Sequence, residues 1–233
     1  MNTTSMNSQP SHALEPDDLD WFLSHCHVRK LKSRKLIIHA GAVPDSLYFI
    51  VDGSVTVLIE DEQGNEVVVA YLHRHDFFGE MGLFQAEAVR SAFVRTRGEC
   101  RIAEISYARF RRLCEERPQL LFAVSTQLAH RLQRTTRRLG DLVFLDVTGR
   151  IAGILLELSR EPDAMTHPEG IQIEISRLEL GRLVGCSREM AGRVLKSLEE
   201  QGLVECHGKK IVVRGAGPGQ ISHLESETGP ARE

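Results

Sequence analysis

Residues 176–201 read SRLELGRLVGCSREMAGRVLKSLEEQ, and they contain the signals of two short helices. The serine that opens the stretch and Glu179 three residues later form a capping box, which marks a helix start. Gly185 suits the left-handed residue that ends a helix, and Ser187 suits the N-cap of the next one. A tight turn with glycine between two short helices indicates a helix-turn-helix. The strand pair LVECHGKKIVVR at 203–214 then predicts the winged form.

The polar face of the second helix has the chemistry of a major-groove reader. Arginine can bond guanine O6 and N7 together, and glutamate can accept a hydrogen bond from cytosine N4. The residues expected at bases are Arg188, Glu189 and Arg193. Those expected at phosphates, assisted by helix N-termini, are Ser176, Arg177 and Ser187. A solvated charged face is the plain alternative. Segment 176–214 holds eight Lys or Arg against five Asp or Glu, in a chain of net charge −3.

The N-terminal half has the pattern of many short strands. Between residues 30 and 110 the runs LKSRKLIIHA, SLYFIVDGSVTVLIE, NEVVVAYL, SAFVRT and CRIAEIS are rich in Val, Ile, Tyr and Phe. Turn residues separate these runs. The pattern predicts a β jelly roll, and with the later helices it predicts an α+β protein.

A possible ligand site lies in two neighbouring strings, FFGEMGLF at 77–84 and VRSA at 89–92. Gly79 lets the backbone approach a ligand closely, and Glu80 can accept hydrogen bonds from a ribose hydroxyl. Arg90 is a planar cation suited to a phosphate, and the serine after it adds a donor. The plain alternative is an ion pair between Glu80 and Arg90.

A long helix with a leucine seam follows. Leucines recur at two heptad positions between residues 119 and 143, which predicts a coiled-coil dimer interface. Thr135 occupies a seam position, with Thr136 beside it. A hydroxyl in an apolar seam either sets the register or contacts a ligand shared between helices, and the pattern alone leaves both open.

Metal chemistry is a distant alternative. His73, His75 and Glu80 have the spacing of the first metal motif of cupin enzymes, which are also jelly rolls. The flanking glycines of that motif are missing, and no second-motif histidine appears on a later strand before the long helix, so we expect no metal site and no enzyme. The five cysteines are scattered without a C-x-x-C pair, which argues against disulfides and zinc.

The composition is that of a globular protein, with 42% hydrophobic and 26% charged residues. No apolar run is long enough to span a membrane, and the polar N-terminus lacks the features of a signal peptide, so we expect a cytoplasmic protein. The expected parts are a disordered segment (1–18), a jelly roll (19–117), a dimerisation helix (118–144), a winged helix-turn-helix (145–214) and a disordered tail (215–233).

These motifs, in this order, resemble the CRP/FNR superfamily of transcription regulators. The resemblance runs from about residue 21 to residue 213. It is carried by the strings WFLSHCH, LYFIVDGSVTVLIEDEQG, GEMGLF, VRSA, AEISY, FLDVTGRIA, PDAMTHPEG and VGCSRE.

The resemblance implies a homodimer that binds palindromic double-stranded DNA in response to cyclic AMP. It implies that the ribose and the cyclic phosphate are held by Gly79, Glu80, Arg90 and Ser91. Thr135 and Thr136 would meet the adenine from the two long helices, which favours the ligand role of the seam. The residues that would read a TGTGA-like half-site are Arg188, Glu189 and Arg193.

Two contacts with RNA polymerase are implied as well. The loop at 164–170, with Thr166 and His167, resembles the surface that recruits the polymerase α subunit. His27 and Arg109 resemble parts of a second polymerase contact.

The chain departs from the family pattern at His75, where the family usually has glycine before Asp-Phe. Histidine can adopt a positive φ at some cost, so the turn is altered rather than forbidden. Some close relatives answer to cyclic di-GMP and also have paired threonines. The intact Arg90-Ser91 pair favours cyclic AMP, with cyclic di-GMP as the alternative.

Overall fold

The computed structural model describes residues 14–85 and 89–215. The helices are α1 (Pro16–Ser24), α2 (Met81–Phe84), α3 (Tyr107–Glu116), α4 (Gln119–Phe144), α5 (Val147–Leu158), α6 (Arg177–Val184) and α7 (Arg188–Glu200). The first strands are β1 (His27–Leu31), β2 (Leu36–Ile38), β3 (Ser46–Asp52), β4 (Val55–Glu60), β5 (Glu66–Leu72) and β6 (Phe77–Phe78). The later strands are β7 (Phe93–Thr96), β8 (Cys100–Ser106), β9 (Met165–His167), β10 (Gly170–Glu174), β11 (Val204–His207) and β12 (Lys210–Arg214).

The N-terminal unit is a jelly roll of two antiparallel sheets. One sheet has the order β1-β8-β3-β6 and the other the order β2-β7-β4-β5. Tyr48 and Ile50 of β3 pack in a core to which both sheets contribute. The alternate residues Leu47 and Phe49 pack in a second core with residues of α1, α3 and α4. Strand β3 is therefore buried on both faces, because successive side chains of a strand point to opposite sides.

The C-terminal unit contains the sheet β11-β12-β10-β9 and the helices α5, α6 and α7. Its core includes Ile151 of α5, Leu180 of α6 and Leu195 of α7, each at most 1% exposed. Helix α5 begins after Asp146, whose side chain accepts a hydrogen bond from the Gly149 amide at 2.8 Å. The observed units confirm the α+β fold class, with the jelly roll before the long helix and the winged helix-turn-helix after it.

The boundaries predicted around the long helix differ from the division of the structure. The chain divides into two compact units between Thr136 and Arg137, which lies within α4. The first turns of α4 supply Leu120 and Val124 to the jelly-roll core. Near the other end, Arg138 donates to the Glu157 carboxylate of α5 at 3.1 Å. The helix is thus shared between the units, since its two ends bond to different elements.

The predicted disordered segment 1–18 needs a correction at its end. Pro16–Asp18 form the first turn of α1, with proline at a position that needs no amide hydrogen and with two aspartates that favour a helix start. Asp18 also pairs with Arg117, whose guanidinium lies 4.5 Å from the ring centroid of Trp21. The predictions for residues 1–13 and 216–233 lie outside the described residues.

The five cysteines are buried or half-buried, as expected of small apolar residues. Burial raises the pKa of the Cys26 thiol to about 12 and that of Cys114 to about 11. Burial also raises the pKa values of Cys186 and Cys206. The Cys100 thiol donates to the Ser54 carbonyl at 3.2 Å. Within residues 14–85 and 89–215, no helix combines the length and the apolar character needed to cross a membrane.

The turn between β5 and β6 has His75 in the left-handed region, at φ 74°. Its ring stacks on Phe49 with centroids 6.0 Å apart. The sequence predicted that the turn can form with histidine in place of glycine if His75 adopts a positive φ, and this is confirmed.

Alanine is usually a more stabilising replacement than glycine, and the left-handed backbone of His75 should reverse that order. His75→Gly and His75→Ala both remove the imidazole and its contact with Phe49. Alanine retains the steric cost of the left-handed region, so we expect the glycine variant to be more stable by about 1 kcal/mol. Urea unfolding of the two variants measures the difference. An alanine variant of equal or greater stability would contradict the strained turn.

Candidate functional site

A pocket in the N-terminal unit opens between the strings singled out in the sequence. Ile38, Leu72, Phe78 and Val94 line its apolar side. The residues around its polar side are Gly79, Glu80, Arg90, Ser91 and Arg131. The pocket therefore combines an apolar wall for a flat ring with charged groups for a polar ligand.

Gly79 is required at the pocket wall for two reasons. Its φ of 77° lies in the left-handed region. A Cβ atom placed there would lie 2.7 Å from Nη1 of Arg90 and 3.1 Å from the Ile38 side chain. Any side chain at this position would therefore displace the arginine.

Arg90 is buried at 8% exposure and is held by neutral groups. Nη1 donates to the Gly79 carbonyl at 2.8 Å and to the Tyr107 hydroxyl at 2.9 Å, and Nη2 donates to the Ser46 carbonyl at 2.7 Å. Its ion-pair partner among the described residues is the exposed Asp45, whose carboxylate is 3.9 Å away. The guanidinium is thus a fixed and weakly neutralised positive charge at the pocket, which suits an anion.

Glu80 forms its ion pair with Arg131 of α4 rather than with Arg90. Nη1 of Arg131 lies 3.2 Å from the Glu80 carboxylate, and Nη2 donates to the Phe77 carbonyl. The predicted alternative of a Glu80–Arg90 pair is therefore wrong. The sequence analysis did not predict Arg131 as a residue of this site. The available signal was its position one helical turn before Thr135 on the seam helix.

The remaining predicted ligand residues lie near this pocket to different degrees. Ser91 lines the pocket and is exposed. Thr135 and Thr136 are exposed on α4 in this single chain and do not line the described part of the pocket. Thr135 lies one turn beyond Arg131, so both point to the same side of the helix. The contacts of the threonines with a ligand stay a prediction.

Helices α6 and α7 form the predicted helix-turn-helix. The capping box is present, since the Ser176 hydroxyl accepts from the Glu179 amide at 3.2 Å and the Glu179 carboxylate accepts from the Ser176 amide at 3.0 Å. Gly185 ends α6 at φ 73°. A Cβ atom on Gly181 would lie 2.6 Å from the Cys186 carbonyl oxygen. Only glycine allows the turn to pack this closely on α6.

Helix α7 buries one face and exposes the other. Ala191, Val194, Leu195 and Leu198 pack in the core of the C-terminal unit. The predicted base readers Arg188, Glu189 and Arg193 are all exposed, as is Arg177. The Arg177 side chain passes over Gly192, 3.5 Å from where a Cβ atom would lie. One open surface thus carries these cations and the glutamate.

The two serines predicted at phosphates have structural roles in the free protein. The Ser176 hydroxyl donates to the Glu179 carboxylate at 2.7 Å, and the Ser187 hydroxyl accepts from the Met190 amide at 3.1 Å. Hydrogen bonds from its own backbone amide and then from the Ser187 hydroxyl hold the pKa of Glu189 below its ordinary value. The glutamate is therefore ionised and ready to accept hydrogen bonds. Phosphate contacts by the serines stay a prediction.

Comparison with known proteins matches both regions to described domains. Residues 28–117 match the cyclic nucleotide-binding domain, and residues 149–215 match the Crp-like helix-turn-helix domain. The chain is 55% identical to "cAMP-activated global transcriptional regulator Vfr" of Pseudomonas aeruginosa, over 88% of this chain and 97% of that protein. It is also 55% identical to "cAMP-activated global transcriptional regulator CRP" of Escherichia coli O157:H7, over 84% of this chain and 94% of that protein. The chain belongs to the CRP/FNR family.

A solved structure within the CRP/FNR fold adds a second effector to the comparison. The c-di-GMP responsive global regulator CLP of Xanthomonas campestris is 44% identical, with a TM-score of 0.80, over 86% of this chain and 100% of that one. The resemblance stated from the sequence is thus confirmed at the level of the family, the fold and the two domain types.

The predicted polymerase contacts of a CRP/FNR protein lie on the surface of each unit. His27 begins β1 opposite Glu104 of β8, and the exposed Arg109 lies on the helix that follows β8. Thr166 is exposed on β9, and the half-buried His167 accepts from the Glu169 amide through Nδ1 at 3.3 Å. Their contacts with polymerase stay predictions.

The cupin-like alternative does not agree with the arrangement of its three residues. His75 stacks on Phe49, and Glu80 pairs with Arg131. Among the residues that the structure describes, no group of three or more His, Cys, Asp or Glu side chains is arranged to hold a metal.

For nucleotide affinity, the several hydrogen bonds that the planar Arg90 guanidinium can make should matter more than its positive charge alone. Arg90→Lys keeps a positive charge but cannot bond Gly79, Tyr107 and Ser46 together, since lysine presents a point charge. We expect cyclic nucleotide affinity to fall by about 10- to 100-fold, because bidentate contacts to phosphate are lost. Calorimetric titration measures it, with Arg95→Lys on β7 as the matched control. Unchanged affinity in the Arg90 variant would refute the phosphate role.

Glu189 should determine base preference rather than overall DNA affinity. Glu189→Gln keeps the size but adds a donor, so discrimination at one base pair should relax by about ten-fold. Since the pKa of Glu189 is lowered, the parent protein should keep this discrimination unchanged between about pH 6 and pH 8. Competition binding with single-base operator variants measures both effects. Preserved discrimination in the Gln variant would mean that α7 docks differently.

Proposed function

We propose that the protein is a transcription regulator whose homodimer binds palindromic DNA more tightly when cyclic AMP occupies the pocket. The observation that carries this proposal is the Arg90 guanidinium, which is held at the pocket by neutral acceptors beside Gly79 and Glu80. A ligand that brings a phosphate supplies the missing negative charge. The relatives named as cAMP-activated regulators, each 55% identical, support the choice of effector.

Each side of the pocket suits one part of the nucleotide. Arg90 and Ser91 hold the cyclic phosphate, and Glu80 accepts a hydrogen bond from the ribose hydroxyl. The apolar wall with Leu72 and Val94 takes the remaining surface of the ligand. Thr135 and Thr136 meet the adenine from the two long helices of the dimer.

The homodimer forms along α4. Leu132, Leu139 and Leu142 are 68%, 62% and 56% exposed in the single chain. Large apolar side chains that recur on one helix at heptad spacing are stabilised by a second helix. A two-fold dimer places two recognition helices about 34 Å apart, which matches the two halves of a palindromic site.

On DNA, the exposed face of α7 reads the major groove. Arg188 and Arg193 donate to guanine, and Glu189 accepts from cytosine. Arg177, Ser176 and Ser187 lie at helix starts, where backbone amides also favour phosphates. The surfaces with Thr166 and His167, and with His27 and Arg109, contact RNA polymerase. The protein regulates transcription by binding and is not an enzyme.

Cyclic di-GMP is the second candidate effector. The observation that favours it is the 44% identity with CLP, which is named as c-di-GMP responsive. The larger ligand carries two phosphates, whereas Arg90 supplies one buried guanidinium. The proposal therefore retains cyclic AMP, and one experiment separates the two.

A titration of labelled palindromic DNA with the full chain tests the effector. We expect cyclic AMP to increase DNA affinity by about ten-fold or more, in the usual range of coupling between sites, and cyclic di-GMP to leave it unchanged. Fluorescence anisotropy with a scrambled DNA control measures both. Tight binding without a ligand that is lost with cyclic di-GMP would replace the effector and keep the DNA site. No specific DNA binding under any condition would overturn the proposed function.

A further inference from the structure

Helix α4 bonds to both backbone polar groups of Phe77. Among the strands that the structure describes, β6 lies at the end of its sheet and pairs with β3 alone. The Phe77 amide donates to Oε1 of Gln127 at 2.9 Å, and the Phe77 carbonyl accepts from Arg131. These helix side chains therefore supply the hydrogen bonds that a neighbouring strand would otherwise supply at a sheet edge.

Gln127 also fixes the turn before β6. Its side chain is 4% exposed, and Nε2 donates to one carboxylate oxygen of Asp76. The other oxygen of Asp76 accepts from the His73 amide at 2.7 Å. A buried amide is tolerated when its hydrogen bonds are made, and Gln127 has a partner for its oxygen and one for its nitrogen. The strained residue His75 lies inside the turn that these bonds close.

The residues that Gln127 bonds are adjacent in the chain to the residues of the pocket wall. Phe77 and Phe78 are followed at once by Gly79 and Glu80, which line the pocket. On α4, Gln127 lies one turn before Arg131, which bonds Glu80. A movement of the pocket wall must therefore either move α4 or break the bonds at Phe77 and Asp76.

We propose that Gln127 is a positioning residue that couples nucleotide occupancy to the position of α4, and hence to DNA binding. This inference rests on the proposed function. Gln127 does not line the pocket and lies outside the DNA-binding unit, so it acts through Phe77 and Asp76. A residue of this kind changes the coupling between two sites rather than the contacts at either one.

The first test replaces the amide by an apolar side chain of similar size. In Gln127→Leu we expect the ratio of DNA affinities with and without cyclic AMP to fall by about ten-fold, while nucleotide affinity changes less than about five-fold. Calorimetry gives the nucleotide affinity, anisotropy the DNA affinities and thermal unfolding the stability. Gln133→Leu, on the exposed side of the same helix, is the matched control. Its ratio should stay at the parent value.

A second test exchanges the hydrogen-bond donor and acceptor between positions 127 and 76, and it remains valid even if the leucine variant folds poorly. Gln127→Glu alone sets two carboxylates against each other. Asp76→Asn alone sets two amide donors against each other, if the new side-chain oxygen still accepts from the His73 amide. In the double variant, the glutamate can accept both from the Phe77 amide and from the new asparagine side chain, whose oxygen remains available to His73. We expect each single variant to lose most of the coupling ratio and the double variant to recover it, as interacting residues do in a double-mutant cycle.

Several outcomes would overturn the inference. They are an unchanged ratio in Gln127→Leu, an equal loss in Gln133→Leu, and a double variant that recovers stability but not coupling. If the parent chain itself shows no response of DNA binding to a cyclic nucleotide, the proposed function fails and this inference fails with it. If the parent responds and the Gln127 variants respond equally, only the role of Gln127 is refuted.

Discussion

Strand β3 is buried on both faces, and the other elements of the N-terminal unit depend on that burial. Leu47 and Phe49 require helices on one side, while Tyr48 and Ile50 require the second sheet on the other. Helix α4 is one of the helices that cover the first side, so the element that carries the leucine seam is also part of the jelly-roll core. A helix held in this way can respond to a ligand in the neighbouring pocket without a separate connecting domain.

Much of the fold could be predicted because local signals and tertiary structure agree. The capping box at Ser176, the αL glycine at Gly185 and the Ser187 cap each appear in the structure as expected. Two features were wrong or missed. Helix α1 begins at Pro16, inside the segment 1–18 that was predicted to be disordered. The division inside α4 depends on which side chains reach which core, and helical periodicity alone does not contain that information.

The candidate site was predictable where its residues are neighbours in sequence and unpredictable where they are not. Gly79, Glu80, Arg90 and Ser91 fall within two adjacent strings and meet at one pocket. The partner of Glu80 is Arg131, 51 residues away on another element, and its signal lies outside both strings, one turn before Thr135 on the seam helix. The seam threonines belong to a surface that a second chain completes, so neither their pattern nor the isolated chain establishes their contacts.

The raised pKa values of the cysteines have a consequence for the chemical environment that the protein tolerates. Peroxides and alkylating agents attack the thiolate, and a thiol whose pKa is about 11 or 12 is almost entirely protonated near neutral pH. Cys26 and Cys114 both lie in the unit that holds the pocket. Cys26 and Cys114 are therefore weak nucleophiles near neutral pH, and neither thiol has the low pKa that redox-sensing cysteines use.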